Sequence, residues 1–497
     1  MKANLFKLTI ICLIISNSLS AQKKDSPEMA ARIQRITDAK NKLIKDVPYK
    51  MFDPACCSTD GKYPKATAED LNWLREARFG IMVHWNPSCV KPCQISWAMR
   101  HQGVDTDEYF NLYKQFNPVK FNPKEWIELF KDAGAKYLVF TTKHHDGFAM
   151  FDTKMNDYKV TNSPYGKDVF ARIADECHKQ KFKLGAYYSP ADWHHPAARS
   201  ANWDEYVNFM KGQLNELMTN YGTIDILFFD YWQPCVDGHN WEEFYKNLRI
   251  LQPHYLHNRN TPWAVGDYED YENNYGPFNY DGKIDTTYPN QWSRMHLSDF
   301  WETLVSVENT WSFQGDVCKP SKECIIKLVS NAGHDGNLLL NFTPGPAGEF
   351  PPKQIDCMKE IGAWLKINGE AIYGTRGGPY KPVYSYRKDI NENTAPEVIG
   401  GYFYAGKVPK IVSTFKENKV FVHILEWQEP GLITLPKLPG KIIKCYLITG
   451  EKLKITESKN SITIHVPKEK LNSIDNIIIL EINGLVKNIN PIEIKMI

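Results

Sequence analysis

The chain carries almost no net charge: 60 Lys and Arg stand against 58 Asp and Glu, a formal balance of +2. Composition therefore offers no basic footprint of the kind that nucleic-acid binding requires. Long hydrophobic runs are also missing at the N-terminus, where the apolar stretch Leu8–Ile15 is too short to span a bilayer. No Gly-rich phosphate loop follows any candidate strand, which removes the main dinucleotide-binding reading. The cysteine spacing matches no zinc framework, and neither internal repeats nor a linker-length low-complexity segment is present.

What remains is an ordinary globular composition, 42% hydrophobic and 24% charged, with an excess of aromatic residues that includes 14 Trp and 26 Tyr. Rings with a polar tip suit amphipathic ligands such as sugars, whose C–H faces stack while their hydroxyls hydrogen-bond. Large aromatic cores would produce the same excess.

Lys2 and Lys7 flank the short apolar run, and the small residues Ser16, Ser18, Ser20 and Ala21 follow it. That order predicts a secretory signal peptide over residues 1–21, and hence an exported, periplasmic or extracellular protein (lysosomal if eukaryotic). No Cys directly follows the small residues, which argues against a lipid anchor. Of the 11 Cys only Cys12 falls in this leader, and export permits disulfides among the rest. A bridge between the pairs Cys56–Cys57 and Cys89/Cys93 is conceivable. Cys177, Cys357 and Cys445 sit in apolar-periodic segments and read as buried thiols.

Residues 22–64 read as a helical and loop segment. From 65 to 375, short apolar runs (Phe79–His84, Tyr137–Thr142, Leu184–Tyr188, Ile224–Phe229, Asn337–Phe342) alternate with amphipathic stretches. In Asp168–Gln180, for example, Val169, Ile173 and Cys177 share one face. Strand–helix alternation of this length predicts parallel strands under helices, a (β/α)8-type barrel. Residues 376–497 change to alternating β patterns at Lys419–Leu425, Lys441–Leu447, Ser461–Val466 and Asn476–Ile482, as in a C-terminal β-sandwich.

In parallel barrels the reacting groups sit at the C-terminal ends of the strands. There the sequence places His84-Trp85, Lys143-His144-His145-Asp146-Gly147, Tyr187-Tyr188-Ser189 with Asp192-Trp193, Asp230, Asn258-Arg259-Asn260, and an acidic tract from Asp267 to Glu272. Carboxylate chemistry on a polyhydroxylated substrate fits this set. Asp225 precedes its apolar run and lies at the wrong end. The adjacent His144 and His145 invite a zinc reading, but successive strand residues point to opposite faces and no third ligand has zinc-like spacing, so no metal is expected. The acidic tract by itself would pass for a solvated loop.

Lys143-His144-His145-Asp146-Gly147-Phe148 after an apolar strand, the run Phe79–Trp85, Tyr187-Tyr188-Ser189, Gly336–Asn341 and Gly369–Thr375 together resemble glycoside hydrolase family 29, the α-L-fucosidases, across roughly residues 70–375. The resemblance implies a retaining exo-glycosidase acting on terminal α-L-fucosyl residues of oligosaccharides or glycoconjugates, without a cofactor. It implies Asp230 as nucleophile, and His84, Trp97, His144, His145, Tyr187 and Arg259 around the sugar. For the acid/base, Gly266–Glu272 keeps the family's spacing but replaces Thr-Pro with Asp270-Tyr271. Register favours Glu272, with Glu269 and Glu302 as rivals. The family often has Glu-Trp where this chain has Ser96-Trp97, which leaves open whether Gln94 takes over a sugar contact. It also keeps two alternatives in play: a glycosidase for another L-galacto-configured sugar, or an inactive carbohydrate-binding paralogue. Oligomeric state is not legible.

Overall fold

The computed structural model describes residues 63–199, 203–230, 241–259, 266–272, 300–386 and 407–494. The leader, most of the segment 22–64, and Cys56 and Cys57 lie outside them. In chain order the first part runs α1 (Ala68–Ala77), β1 (Phe79–Val83), α2 (Thr106–Asn111), α3 (Pro123–Asp132), β2 (Tyr137–Lys143), α4 (Val169–Lys179), β3 (Lys183–Tyr188), α5 (Trp203–Asn220), β4 (Ile226–Phe229), α6 (Trp241–Leu251), β5 (Leu256–Arg259), β6 (Tyr268–Glu272), β7 (Trp301–Ser306), α7 (Ser321–Gly333), β8 (Asn337–Phe342) and α8 (Pro352–Asn368). The eight strands pair in parallel, each with its sequence neighbour, and β8 closes on β1. This is the expected barrel.

Helix α4 shows how the sequence makes these elements. Asp168 caps it by accepting from the Ala171 N–H, and Val169, Phe170, Ile173, Ala174 and Cys177 form its buried stripe. The strands alternate between two cores. Met82, Tyr137, Val139, Tyr187, Ile226, Phe228, Leu256, Tyr268, Leu304 and Leu339 cluster inside the barrel. Their neighbours Ile81, Leu138, Phe140, Ala186, Leu227, Val305, Leu338 and Leu340 pack outward in the core shared with the helices. Gly80 is required by the inner packing, since a Cβ there would lie 2.3 Å from the Tyr137 ring.

Three strands were not recognised in the sequence. The tract Tyr268–Glu272, which composition alone would make a solvated loop, is β6 of the barrel, with only Glu272 exposed. Strands β5 and β7 were hidden for the same reason: they carry His257, Asn258, Glu302 and Thr303, all wholly buried. Polar residues buried on either face of a barrel strand erase the apolar run that marks it.

Glu302 lies in this interior, accepting the Tyr137 hydroxyl. Burial raises its pKa from 4.5 to about 8, against a lowering pull from Tyr137. The native state therefore holds a proton between pH 4.5 and about 8 that the unfolded chain releases, so this group's contribution to stability declines as pH rises through that window. Glu302→Gln is expected to flatten the fall of Tm across it, measured by scanning calorimetry. Parallel Tm–pH curves for variant and wild type would refute the assignment.

Past α8 the chain becomes antiparallel: β9 (Arg376–Gly377), β10 (Val383–Tyr386), β11 (Lys407–Lys416), β12 (Lys419–Ile424), β13 (Leu432–Pro436), β14 (Ile442–Leu447), β15 (Lys454–Glu457), β16 (Ser461–His465) and β17 (Asn476–Ile482). One sheet orders β10-β11-β12-β17-β14 with β9 beside β11, and the other orders β13-β16-β15. Val420, Val422, Leu435, Ile462, Ile464, Ile478 and Leu480 fill a core of their own. Cys89, Cys93, Cys177, Cys357 and Cys445 are buried free thiols. No helix among the described residues is long and apolar enough to cross a membrane.

Candidate active site

The C-terminal rim of the barrel gathers most of the residues singled out from sequence. Asp230 directly follows β4 on the inward parity of Ile226 and Phe228, and is half-buried. The Tyr187 hydroxyl, at the end of β3, donates to its Oδ2. Burial, and then the Asp230 charge, hold the Tyr187 pKa well above its ordinary value, so the phenol stays a donor. Asp225 sits at the opposite end, accepting from the Leu184 N–H at 2.9 Å and pairing with Lys183.

His144 and His145 depart from the expectation of opposite faces. The β2–β3 register shifts between Thr141 and Lys143 and the strand ends there, so both imidazoles turn into the cleft with ring centroids 3.9 Å apart. His145 Nε2 lies 3.8 Å from Asp230 Oδ2. The ligand atoms of His144, His145 and Asp230 all fall within 4.8 Å of one another, a third ligand that sequence spacing did not reveal. The set could coordinate a metal ion; the two Nδ1 atoms face Ser96 and Ser189, and Asp230 Oδ2 accepts the Tyr187 hydroxyl.

The rest of the motif is scaffolding. Lys143 is buried and donates to the Ala191 carbonyl at 3.1 Å, 3.5 Å from Asp192. Asp146 accepts from Tyr109 Oη (2.7 Å), Asn86 Nδ2 (2.7 Å), Ser96 Oγ (3.0 Å) and the Phe148 N–H (3.0 Å). Gly147 turns the loop back at φ +84°, where a Cβ would meet the Asp192 carboxylate at 2.3 Å.

His84 ends β1 with its ring against His144, Tyr187 and Trp311. Burial lowers its pKa to about 4, opposed by the Asn341 hydrogen bond. His144 and His145 are lowered well below the ordinary value, first by burial and then by neighbouring positive groups. All three imidazoles are neutral at ordinary pH. Half-buried Trp97 meets His145 and Trp193 edge-on, and Arg100 lies 4.0 Å over the Trp193 ring, forming an aromatic wall. The side chain of Arg259 lies outside the described residues. The Gln94 amide nitrogen is buried without a partner, enclosed away from the solvent of the cleft.

Strand parity separates the three acid/base candidates. Tyr268, Asp270 and Glu272 alternate inward on β6, so Glu269 points the other way, where it accepts from Tyr271 Oη at 2.5 Å. Glu302, opposite Asp270, is one pair deeper than Glu272, which lies opposite Leu304. Glu272 alone reaches the mouth. The residue is exposed there, yet its carboxyl is hemmed in on the protein side. Its pKa is raised to about 8 by that burial and by the Asp230 charge, against a hydrogen bond from Trp311. An ionised Asp230 thus favours a protonated Glu272. Trp311, which follows the unrecognised β7, and Asn341 were not assigned to the site from sequence. The readable signal was their place just after or at the end of barrel strands.

Carboxyls beside aromatic side chains at the C-terminal rim of a parallel barrel suit the chemistry of a glycoside hydrolase. Comparison with known proteins gives the family. The profile described as alpha-L-fucosidase matches residues 59–370, so the chain belongs to the α-L-fucosidase family, glycoside hydrolase family 29. It is 26% identical to the tissue α-L-fucosidase of Rattus norvegicus over 404 residues, covering 74% of this chain and 79% of that one. It is 25% identical to the plasma α-L-fucosidase of Homo sapiens over 462 residues, covering 84% and 89%. The structure of α-L-fucosidase isoenzyme 1 from Paenibacillus thiaminolyticus superposes with a TM-score of 0.67 at 29% identity, covering 84% of this chain and 99% of that one. The fold is also that of the Bacteroides thetaiotaomicron family 29 enzyme trapped as a covalent intermediate, with a TM-score of 0.68 at 24% identity, covering 84% and 97%.

Proposed function

We propose that this chain is an exported exo-α-L-fucosidase that works by double displacement, with residues 65–375 as the catalytic unit and 376–497 as an accessory sandwich. Asp230 attacks the anomeric carbon and forms the glycosyl-enzyme, while Glu272 gives its proton to the leaving oxygen and then takes one from the incoming water. Each proton transferred is returned, and no cofactor enters the balance. Tyr187 holds one Asp230 oxygen, the three imidazoles and Arg259 engage the sugar, and Trp97 flanks it. The observation that carries this reading is the Glu272 carboxyl at the mouth of the barrel, its pKa raised to about 8 by burial and by the charge of Asp230. The leader Met1–Ala21 supports export.

An aryl α-L-fucoside tests it. Turnover is expected with the α-anomer of fucose as the first product by NMR, and kcat/KM is expected to fall as pH rises through about 8, where Glu272 loses its proton. A β-anomeric first product would remove the covalent step. Fucose binding without release of the aryl alcohol would make the chain an inactive carbohydrate-binding paralogue. Faster turnover of another L-galacto-configured glycoside would reassign the sugar.

A further inference from the structure

The loop 307–320, between β7 and α7, leaves and returns through one neck. There the Lys319 N–H donates to the Val307 carbonyl at 2.7 Å, and Lys319 Nζ donates to the Ser306 and Glu308 carbonyls at 2.8 and 2.9 Å. The loop carries Trp311 to the cleft, where its indole donates to Glu272 and its ring packs 5.5 Å from that of His84. The start of α8 holds the loop: the Lys353 N–H donates to Asp316 Oδ1 at 2.8 Å, and Gln354 Nε2 donates to Glu308 Oε1 at 2.7 Å. One turn further along α8, on the face of Gln354, stands Cys357. Its sulfur accepts the thiol proton of Cys318 at the neck, and its own thiol donates to Cys324 in the first turn of α7. All three are free thiols in the structure; Cys324 and Cys357 are buried and Cys318 is half-buried.

We infer that Cys318 and Cys357 are joined by a disulfide in the exported enzyme, a covalent tie between the neck of the Trp311 loop and α8; the inference rests on the export proposed above. The two sulfurs are already hydrogen-bonded, so closing to an S–S bond of about 2 Å needs only a small shift of the half-buried neck. The step balances as exchange with a disulfide oxidant of the exported compartment. The Cys318 thiolate attacks one sulfur of the oxidant and releases the other as a thiolate. The Cys357 thiolate then attacks Cys318 and releases the first. Two electrons pass to the oxidant, and the protons of the two cysteines end on its two thiols. Cys318 is the entry point, because it is the most exposed of the three. Donation to Cys357, with burial added, holds the Cys318 thiol above its ordinary pKa once the loop has packed. Exchange is then slow, so the bridge closes during folding. It constrains a stretch of roughly 40 residues in the unfolded chain, enough to stabilise the fold measurably. Cys324 stays a buried thiol.

Peptide mass spectrometry of the full-length protein, exported through its own leader and alkylated in denaturant without reductant, tests the pair. The expected result is a linked Cys318–Cys357 peptide, lighter by two hydrogens than its reduced halves, together with alkylated Cys324. A linked Cys324–Cys357 peptide, or alkylation of all three, would overturn the inference. Refolding of the reduced full-length chain with reduced and oxidised glutathione separates the bridge from the export, and the same linked peptide is expected. If that peptide forms on refolding but the leader fails to direct export, the pair stands and the export reading fails. Thermal unfolding supplies a second readout. Reduction of the bridged protein, Cys318→Ala and Cys357→Ala are each expected to lower Tm by roughly 5 °C. The double variant should lose no more than either single one, because the same bond is lost each time. Losses that add in the double variant, with no effect of reductant on the wild type, would show two separate packing roles and overturn the bond.

Discussion

Asp230→Asn is expected to lower turnover of an aryl α-L-fucoside by about 10^4-fold or more while leaving fucose affinity near that of the wild type. The amide keeps the shape and can still accept the Tyr187 hydroxyl, so the cleft stays assembled, but its oxygen cannot form the glycosyl ester. Azide should restore part of the rate by entering the face that the carboxylate vacates, and the product should be the β-L-fucosyl azide, inverted relative to the substrate. Gas-phase mass spectrometry of the wild type trapped with a slow fluorinated substrate should place the sugar on the peptide containing Asp230. Near-normal turnover in the variant, or a label on another peptide, would remove Asp230 from the mechanism.

The second large effect belongs to Glu272. Glu272→Ala should cost about 10^2–10^4-fold on glycosides with poor leaving groups, which need a proton at the departing oxygen. It should cost little in the first step on a dinitrophenyl fucoside, whose phenolate leaves unaided. Azide should now yield the α-azide, because the vacated space lies on the opposite face of the sugar from that in Asp230→Asn. The decline in kcat/KM around pH 8 should vanish with the carboxyl that causes it. Glu269→Ala and Glu302→Gln should keep the wild-type dependence on leaving group, since Glu269 faces away from the cleft and Glu302 lies a pair deeper. If either of those variants shows the leaving-group pattern and Glu272→Ala does not, the acid/base is misassigned. If the two carboxyl groups are later found farther apart than the roughly 5–5.5 Å that retention requires, the double displacement itself fails.

Some of this was legible residue by residue. The four strands with unbroken apolar runs, Phe79–Val83, Tyr137–Lys143, Lys183–Tyr188 and Ile226–Phe229, and the closing strand Asn337–Phe342, could be read because both their faces are buried. The polar residues that end them then fell on the rim by rule. Strands β5, β6 and β7 could not be read this way, because the barrel interior behind the site is lined with Asn258, Asp270 and Glu302. A chain segment that alternates Tyr-Glu-Asp-Tyr-Glu is a solvated loop in isolation and a strand only when seven others surround it.

The sequence by itself determined the class of fold, the family, and the set of residue types at the rim, because local hydrophobic periodicity and the ends of strands are properties of neighbours along the chain. Only the tertiary structure decided which of three glutamates shares a space with Asp230, that His144 and His145 turn the same way, and that Ser96 is tied to Asp146 and His144. Those outcomes depend on strand parity, a register shift and hydrogen bonds between residues far apart in the chain. Such relations exist only once the eight strands have closed.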